Sequence, residues 1–214
     1  GIYKNLNVAA LGLSLKGKNN EAIQLFNVGK AYSIAAGNKK GEAKMLLGLG
    51  VCETRKGNYK QAIDYYLASL KIEESYGTNK AQIANIYNNL GVVFRKSGDN
   101  EQSRKYCRIA LKSRIEMKDS VQVAMSYNNL SNTFSYNTPE SCDSVFVNVN
   151  KGLAIRLKLK DQAGIAQCWN NLGTYYLNMD ICDSALVYYR KSYELYVKLG
   201  FTWDVLNCLS NLAE

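Results

Sequence analysis

Asparagine pairs recur at one place in the sequence, directly before a leucine. The pairs are Asn88–Asn89, Asn128–Asn129 and Asn170–Asn171, and Asn211 precedes Leu212 in a fourth segment. Asparagine is less favourable than alanine in a helix interior by about 0.5 kcal/mol, so its repetition implies a role other than helix formation. Its side-chain amide carries a donor and an acceptor, which match the C=O and N–H of a peptide unit of any sequence. Hydrogen bonding to a polypeptide is therefore the chemistry that these residues could perform.

The residue types of common catalytic and metal sites are missing or badly spaced. The sequence has no histidine and six cysteines, which are Cys52, Cys107, Cys142, Cys168, Cys182 and Cys208. A zinc site would need thiolates tens of residues apart, and no Ser–His or Cys–His pair can exist. No phosphate-binding glycine motif is present. We therefore predict that the protein is not an enzyme and has no catalytic residues, metal, other cofactor or small-molecule substrate.

Composition describes a folded, basic chain. The 214 residues are 47% hydrophobic, include one proline, and carry 27 Lys and Arg against 18 Asp and Glu. This balance permits an acidic partner, nucleic acid or an anionic surface without selecting one. No apolar stretch approaches the ~18 residues of a membrane span, and no signal peptide opens the sequence. The sequence does not distinguish a cytoplasmic from a bacterial periplasmic location.

A repeat of 40 to 42 residues runs through the whole sequence. Its anchoring leucines are Leu49, Leu90, Leu130 and Leu172, an earlier copy surrounds Gly17, and a half copy ends at Leu212. In each copy a segment of helical apolar spacing is followed by a turn and a second such segment. We therefore predict a single all-α domain over 1–214, with hairpins at 3–37, 38–77, 78–119, 120–160 and 161–200 and a half repeat at 202–214. Candidate helix caps are Thr78, Ser120, Asp161 and Thr202.

The pattern resembles the tetratricopeptide repeat. The first helix of a copy has an aromatic residue, Leu-Gly and another aromatic, as in Tyr87, Leu90, Gly91 and Phe94. The second has alanine, an aromatic and a small residue, as in Ala185, Tyr189 and Ser192. The long period and the absence of the proline that usually follows the second helix resemble kinesin light chain and bacterial peptide-sensing regulators. The resemblance implies a right-handed superhelical solenoid of antiparallel hairpins, whose first helices line a concave groove that holds a partner protein or peptide.

The resemblance places the asparagines in that groove. The second Asn of each pair lies ~200° around the helix from the aromatic residue of the hairpin core. We predict a peptide-binding groove formed by Asn85, Asn88, Asn89, Arg95, Lys96, Asn128, Asn129, Asn132, Asn170, Asn171 and Asn211. In this ladder Asn129 is the central rung, and Arg95 and Lys96 would favour an acidic segment unless they are only solvated. Alternatively, the amides bond one another and stitch neighbouring helices together.

Three functions remain open. The first is a scaffold or sensor module that binds a partner segment in the groove. The second is a regulatory input domain of a larger bacterial signalling protein, acting through self-association. The third is nucleic-acid binding through the basic second helix, which contains Arg104, Lys105, Arg108, Lys112 and Arg114. We do not expect the third, because second helices line the convex side and RNA-reading helical repeats keep a period near 35 residues.

The copy that begins at Leu130 departs most from the pattern. Ser131 replaces glycine, and Thr138–Pro139 replaces the glycine turn. We predict a first helix that includes Phe134 and a second helix with Pro139 in its first turn, where the missing N–H costs nothing.

Two further expectations follow from the repeat. Equivalent cysteines lie on neighbouring helices ~8–10 Å apart, beyond disulfide reach, so all six are expected to be reduced. Because a terminal half repeat would leave its apolar residues unpacked, we expect the natural chain to continue beyond Glu214.

Overall fold

The computed structural model describes residues 2–76 and 79–212, and this part of the chain forms helices joined by short turns. The helices are α1 Ile2–Leu15, α2 Asn19–Ala35, α3 Lys39–Lys56, α4 Tyr59–Tyr76, α5 Lys80–Lys96, α6 Asn100–Glu116, α7 Ser120–Ser131, α8 Pro139–Leu159, α9 Gln162–Asn178, α10 Cys182–Leu199 and α11 Thr202–Leu212. Each predicted hairpin contains one pair of them.

The chain divides into two compact units, residues 1–113 and 114–214. In the first unit α1 packs against α2, α3 against α4, and the first helices α1, α3 and α5 lie side by side. In the second unit α7 packs against α8, α9 against α10, and α11 against α10. The predicted all-α architecture of stacked helix hairpins is confirmed.

Glycine and aromatic residues of the repeat meet where the two helices of a hairpin approach closely. A Cβ atom on Gly50 would lie 2.5 Å from the ring of Tyr66, and one on Gly173 would lie 2.5 Å from the ring of Tyr189. Real Cβ atoms do not come this close, so glycine makes room for each buried tyrosine. This contact explains why Leu-Gly in the first helix recurs with an aromatic residue in the second.

Several helices begin after an Asn or Asp whose side chain accepts a hydrogen bond from the backbone N–H three residues later. Asp161 caps α9 as predicted, with Oδ1 3.0 Å from the N of Gly164. Asp119 caps α7, so the prediction of Ser120 was wrong by one residue. Asn79 caps α5, whereas Thr78 lies outside the described residues. Thr202 is the first residue of α11 and does not precede it.

Helix α7 is shorter than predicted and ends before Phe134. The hydroxyl of Ser131 donates to the carbonyl of Asn128 at 2.7 Å, and that of Thr133 donates to the carbonyl of Leu130 at 2.8 Å. Hydroxyl groups that bond nearby carbonyls compete with the backbone N–H groups of the next helical turn.

Helix α8 forms as predicted despite its valines and asparagines. Pro139 occupies its first turn, and the helix continues to Leu159. Burial of Val145, Val149 and Gly152 against the rest of the second unit offsets the low helix propensity of this segment.

Candidate partner-binding face

Two asparagine pairs connect the first helices of the second unit. The Nδ2 of Asn171 on α9 donates to the Oδ1 of Asn128 on α7 at 2.5 Å. The Nδ2 of Asn211 on α11 donates to the Oδ1 of Asn170 on α9 at 3.1 Å. In both pairs the second Asn of one copy bonds the first Asn of the preceding copy. The stitching arrangement is therefore present in these two pairs.

The predicted groove residues differ in accessibility. Asn88 and Asn128 are buried, with 8% and 6% of their surfaces exposed, which leaves them little surface for a partner. The half-buried members are Asn89, Asn129, Asn170, Asn171 and Asn211, and the exposed members are Asn85, Arg95, Lys96 and Asn132. Asn132 is the residue that directly follows α7, which ends at Ser131. Contact of the accessible members with a peptide stays a prediction.

The amide of Asn171 has hydrogen-bonding capacity left after it bonds Asn128. One N–H is used in that bond, and within 2–76 and 79–212 no other side-chain hydrogen bond of Asn171 is found. Its second N–H can therefore donate to a peptide C=O, and its Oδ1 can accept from a peptide N–H. The bond to Asn128 already holds the amide in one orientation. Binding a peptide would therefore cost less side-chain entropy at Asn171. Stitching and peptide binding are compatible at this position.

The first unit presents a different face, on α1, α3 and α5. On α3, the exposed or half-buried Lys44, Val51 and Arg55 lie within ~40° of one another around the helix. The equivalent residues are Asn85, Val92 and Lys96 on α5, and Lys4, Leu11 and Leu15 on α1. Sequence reasoning missed Lys4, Lys44 and Arg55, although their spacing of 40 or 41 residues from the equivalent positions would have identified them.

Buried acidic residues of the first unit are already engaged. Glu53 accepts a hydrogen bond from Nδ2 of Asn58 at 2.6 Å, and Glu73 accepts one from Nε2 of Gln82 at 2.7 Å. Burial raises the pKa of Glu73, and the positive charges of Lys40 and Lys44 oppose that rise.

A small cleft in the second unit surrounds a buried arginine. The cleft has a volume of 320 Å³ and is lined by Arg156, Asp161, Ala163, Gly164, Gln167, Tyr196, Phe201 and Asp204. The Nη1 of Arg156 donates to the carbonyl of Gly164 at 2.6 Å and to Oε1 of Gln167 at 3.0 Å. Arg114 at the end of α6 donates similarly to Oγ of Ser126 on α7 at 2.7 Å. Arg156 therefore connects α8 to α9 within the second unit.

Two other features are absent from the described part of the chain. No group of three or more Cys, Asp or Glu residues there is placed to hold a metal ion. None of the helices described is both long and apolar enough to cross a membrane.

Comparison with known families agrees with this fold. Residues 41–112 match the family model of the tetratricopeptide repeat. This match covers all of α4 and α5 and most of α3 and α6. No curated protein matches the sequence.

Solved structures share the fold over nearly the whole chain. BtubC (BKLC) from P. vanneervenii is 22% identical with a TM-score of 0.77, over 92% of this chain and 80% of that one. The apo form of RapI is 16% identical with a TM-score of 0.79, over 100% and 84%. The apo quorum sensor NprR from B. thuringiensis is 13% identical with a TM-score of 0.74, over 99% of this chain and 58% of that one. These similarities confirm the resemblance to tetratricopeptide-type helical repeats.

Proposed function

We propose that this chain is a protein-binding scaffold or sensor module whose first helices hold an extended segment of a partner. The observation that carries this proposal is the half-buried amide of Asn171, which is fixed by Asn128 and has a donor and an acceptor left for a peptide backbone. Asn89 and Asn129 occupy the same position of earlier copies. The fold that the chain shares with the quorum sensor NprR is consistent with a sensor role.

Backbone recognition explains why asparagine recurs at one helical position. A peptide bound by amide side chains needs no particular sequence at each rung, because every peptide unit carries the same C=O and N–H. Each such hydrogen bond contributes a net ~0.5–1.5 kcal/mol, so several weak rungs are needed for a stable complex. Side chains beside the ladder would then select among partners.

The experiment compares two variants that break the same hydrogen bond. A fluorescent peptide is first selected from a random 12-residue library on the immobilised full chain, and its affinity is measured by fluorescence polarisation. Asn171→Ala removes the rung, and we expect affinity to fall about 3- to 30-fold, which corresponds to the loss of one or two hydrogen bonds. Asn128→Ala removes the buried partner of Asn171 but leaves the accessible amide in place, and we expect a loss of about threefold or less.

Thermal unfolding of both variants separates binding from stability. Both should lower the melting temperature to a similar extent, because each breaks the bond between α7 and α9. Equal losses of affinity in the two variants would show that Asn171 acts only through its hydrogen bond to Asn128. Failure of the library to yield any binding peptide would overturn the proposed function itself.

Self-association is a second candidate function. Phe146 and Val147 on α8 are exposed, as are Leu186 and Val187 at the equivalent positions of α10. Exposed apolar residues that repeat on two second helices of one unit form a surface that a second copy of the chain could cover. Light scattering at increasing protein concentration should then detect a dimer, and Val147→Glu combined with Val187→Glu should be monomeric. A wild-type monomer throughout the concentration range would exclude this candidate.

A further inference from the structure

The positive charge of the protein is concentrated in the first unit. Residues 1–113 contain 18 Lys and Arg against 8 Asp and Glu, whereas residues 114–214 contain 9 against 10. The two units have the same hairpin architecture, so the fold does not require this difference. A local excess of one sign selects partners through electrostatic complementarity.

Within the first unit, the charge lies mainly on the first helices. Helices α1, α3 and α5 carry nine Lys and Arg and two acidic residues, Glu42 and Glu53. Both acids are engaged, since Glu42 pairs with Lys39 at 2.9 Å and Glu53 is buried against Asn58. By contrast, α7 and α9 of the second unit contain no charged residue at all.

The cations flank an aliphatic strip on the side-by-side helices α1, α3 and α5. Leu11, Val51 and Val92 occupy one helical position of the three copies. On one side of this strip are Lys4 and Lys44, and on the other side are Arg55 and Lys96. We call this surface, formed by Lys4, Leu11, Lys44, Val51, Arg55, Val92 and Lys96, the first-unit face.

Most cations of the first-unit face are not neutralised. Lys4, Lys44 and Lys96 form no ion pair of 4 Å or less with any residue in the described part of the chain. Lys44, with Lys40, is close enough to lower the pKa of the buried Glu73, although burial dominates that pKa. Arg55 donates through Nη1 to the carbonyl and Oγ of Ser14 on α1, which fixes its guanidinium beside the strip.

We propose that the first-unit face selects a partner segment in which acidic residues alternate with aliphatic ones; this inference rests on the proposed peptide-binding function. Carboxylates would pair with Lys44 and Lys96, and aliphatic side chains would cover Val51 and Val92. A polynucleotide fits less well, because single strands need aromatic residues for base stacking, and the strip between the cations is aliphatic.

The test selects random 12-residue peptides displayed on phage against the immobilised full chain and compares three proteins. These are the wild type, the Lys44→Gln/Lys96→Gln variant of the first-unit face, and a Lys60→Gln/Lys71→Gln control on α4. Lys60, Lys71 and Lys96 are exposed, and Lys44 is half-buried. Both variants lose two positive charges, so net charge alone cannot distinguish them. We expect acidic peptides from the wild type and the control, and a pool shifted toward neutral peptides from the face variant.

Affinity measurements complete the test with the best acidic peptide, its version with Gln and Asn in place of Glu and Asp, and a 20-nucleotide oligothymidylate. The face variant should bind the acidic peptide about 3- to 10-fold more weakly than the control, since two partly exposed ion pairs are lost. Selected wild-type peptides without an acidic bias would overturn the charge proposal and leave peptide binding intact. An equal loss in the control, or tighter binding of the oligothymidylate, would also overturn it, whereas absence of any selected peptide would count against the proposed function.

Discussion

Arg156 occupies the space that a side chain on Gly164 would need. Its Nη1 lies 2.6 Å from the carbonyl oxygen of Gly164, and a Cβ atom on residue 164 would lie 2.6 Å from its Cδ. The arginine stem therefore passes directly over the first turn of α9. This contact holds the end of α8 against the next first helix.

Gly164→Ala should destabilise the protein although alanine is the better helix former. Alanine gains ~1 kcal/mol of helix propensity. Its Cβ atom would, however, displace both the buried Arg156 and the carboxylate of Asp161, whose Oδ2 is the nearest atom, and overpacking typically costs ~1–3 kcal/mol. We expect a net loss of up to about 2 kcal/mol in the free energy of unfolding, measured by urea denaturation. Gly12→Ala is the matched control, because nothing lies within 4 Å of a Cβ atom there. It should leave stability unchanged or raise it, and a similar loss in both variants would contradict the steric explanation.

The bond between Asn171 and Asn128 predicts a measurable coupling in stability. Removing either side chain leaves the other amide without its partner, so the two single substitutions to alanine and the double substitution should not be additive. We expect a coupling energy of ~0.5–1.5 kcal/mol from a double-mutant cycle of urea denaturations. As a control, Asn178→Ala with Asn171→Ala should be additive, since Asn178 bonds the carbonyl of Thr174 on its own helix. Additivity of the Asn128 and Asn171 variants would show that their bond contributes nothing in solution.

The sequence predicts the hairpins well because their determinants are local. Apolar spacing and the contact of Gly50 with Tyr66 involve one helix pair. Because the pattern repeats, each copy gives independent evidence for the same hairpin. The partners of the asparagines could not be predicted, because they depend on the register between successive hairpins. A shift of one helical turn would bring Asn171 to a different residue of α7.

Smaller differences also have local causes. Ser131 and Thr133 end α7 early through hydroxyl bonds to carbonyls, a competition that apolar spacing does not reveal. Asp119 and Ser120 are both good capping residues, and propensity alone does not choose between neighbours. The first-unit face was not predicted, because exposed Lys and Arg are common on helices. Only the packing of α1, α3 and α5 side by side brings Lys4, Lys44 and Arg55 to one surface.

Thiol accessibility should distinguish one cysteine from the other five. All six are free in the structure, and only Cys182 is exposed. Burial raises the pKa of Cys52, Cys168 and Cys208, which disfavours their reactive thiolates. We expect a thiol reagent at pH 8 to label one group quickly in the native protein and six groups in denatured, unreduced protein. Cys182→Ser should abolish the fast phase, and fewer than six thiols after denaturation would contradict the expectation that all are reduced.

The carboxyl group of Glu73 should make stability fall as pH rises. Burial raises its pKa in the folded protein above that of the unfolded chain, near 4.3, so the folded state holds the proton more tightly. The contribution of the protonated Glu73 to the free energy of unfolding is complete below the pKa of the unfolded chain. It is lost as pH rises through the higher pKa of the folded protein. At pH 7 the buried carboxylate is therefore a cost. Glu73→Gln removes the charge and keeps an acceptor for Nε2 of Gln82, which bonds Glu73 at 2.7 Å.

We expect Glu73→Gln to unfold at a higher temperature than the wild type at pH 7, and the difference to vanish near pH 4, where the wild-type carboxyl is protonated. Glu101→Gln on α6 is the matched control, because Glu101 is exposed and the substitution removes the same charge. Its unfolding temperature should equal that of the wild type at both pH values. If Glu73→Gln is instead less stable at pH 7, attraction between the carboxylate and Lys40 and Lys44 outweighs the cost of burying it. In that case Lys44→Gln should destabilise the wild type more than it destabilises Glu73→Gln, which the same thermal measurements would reveal.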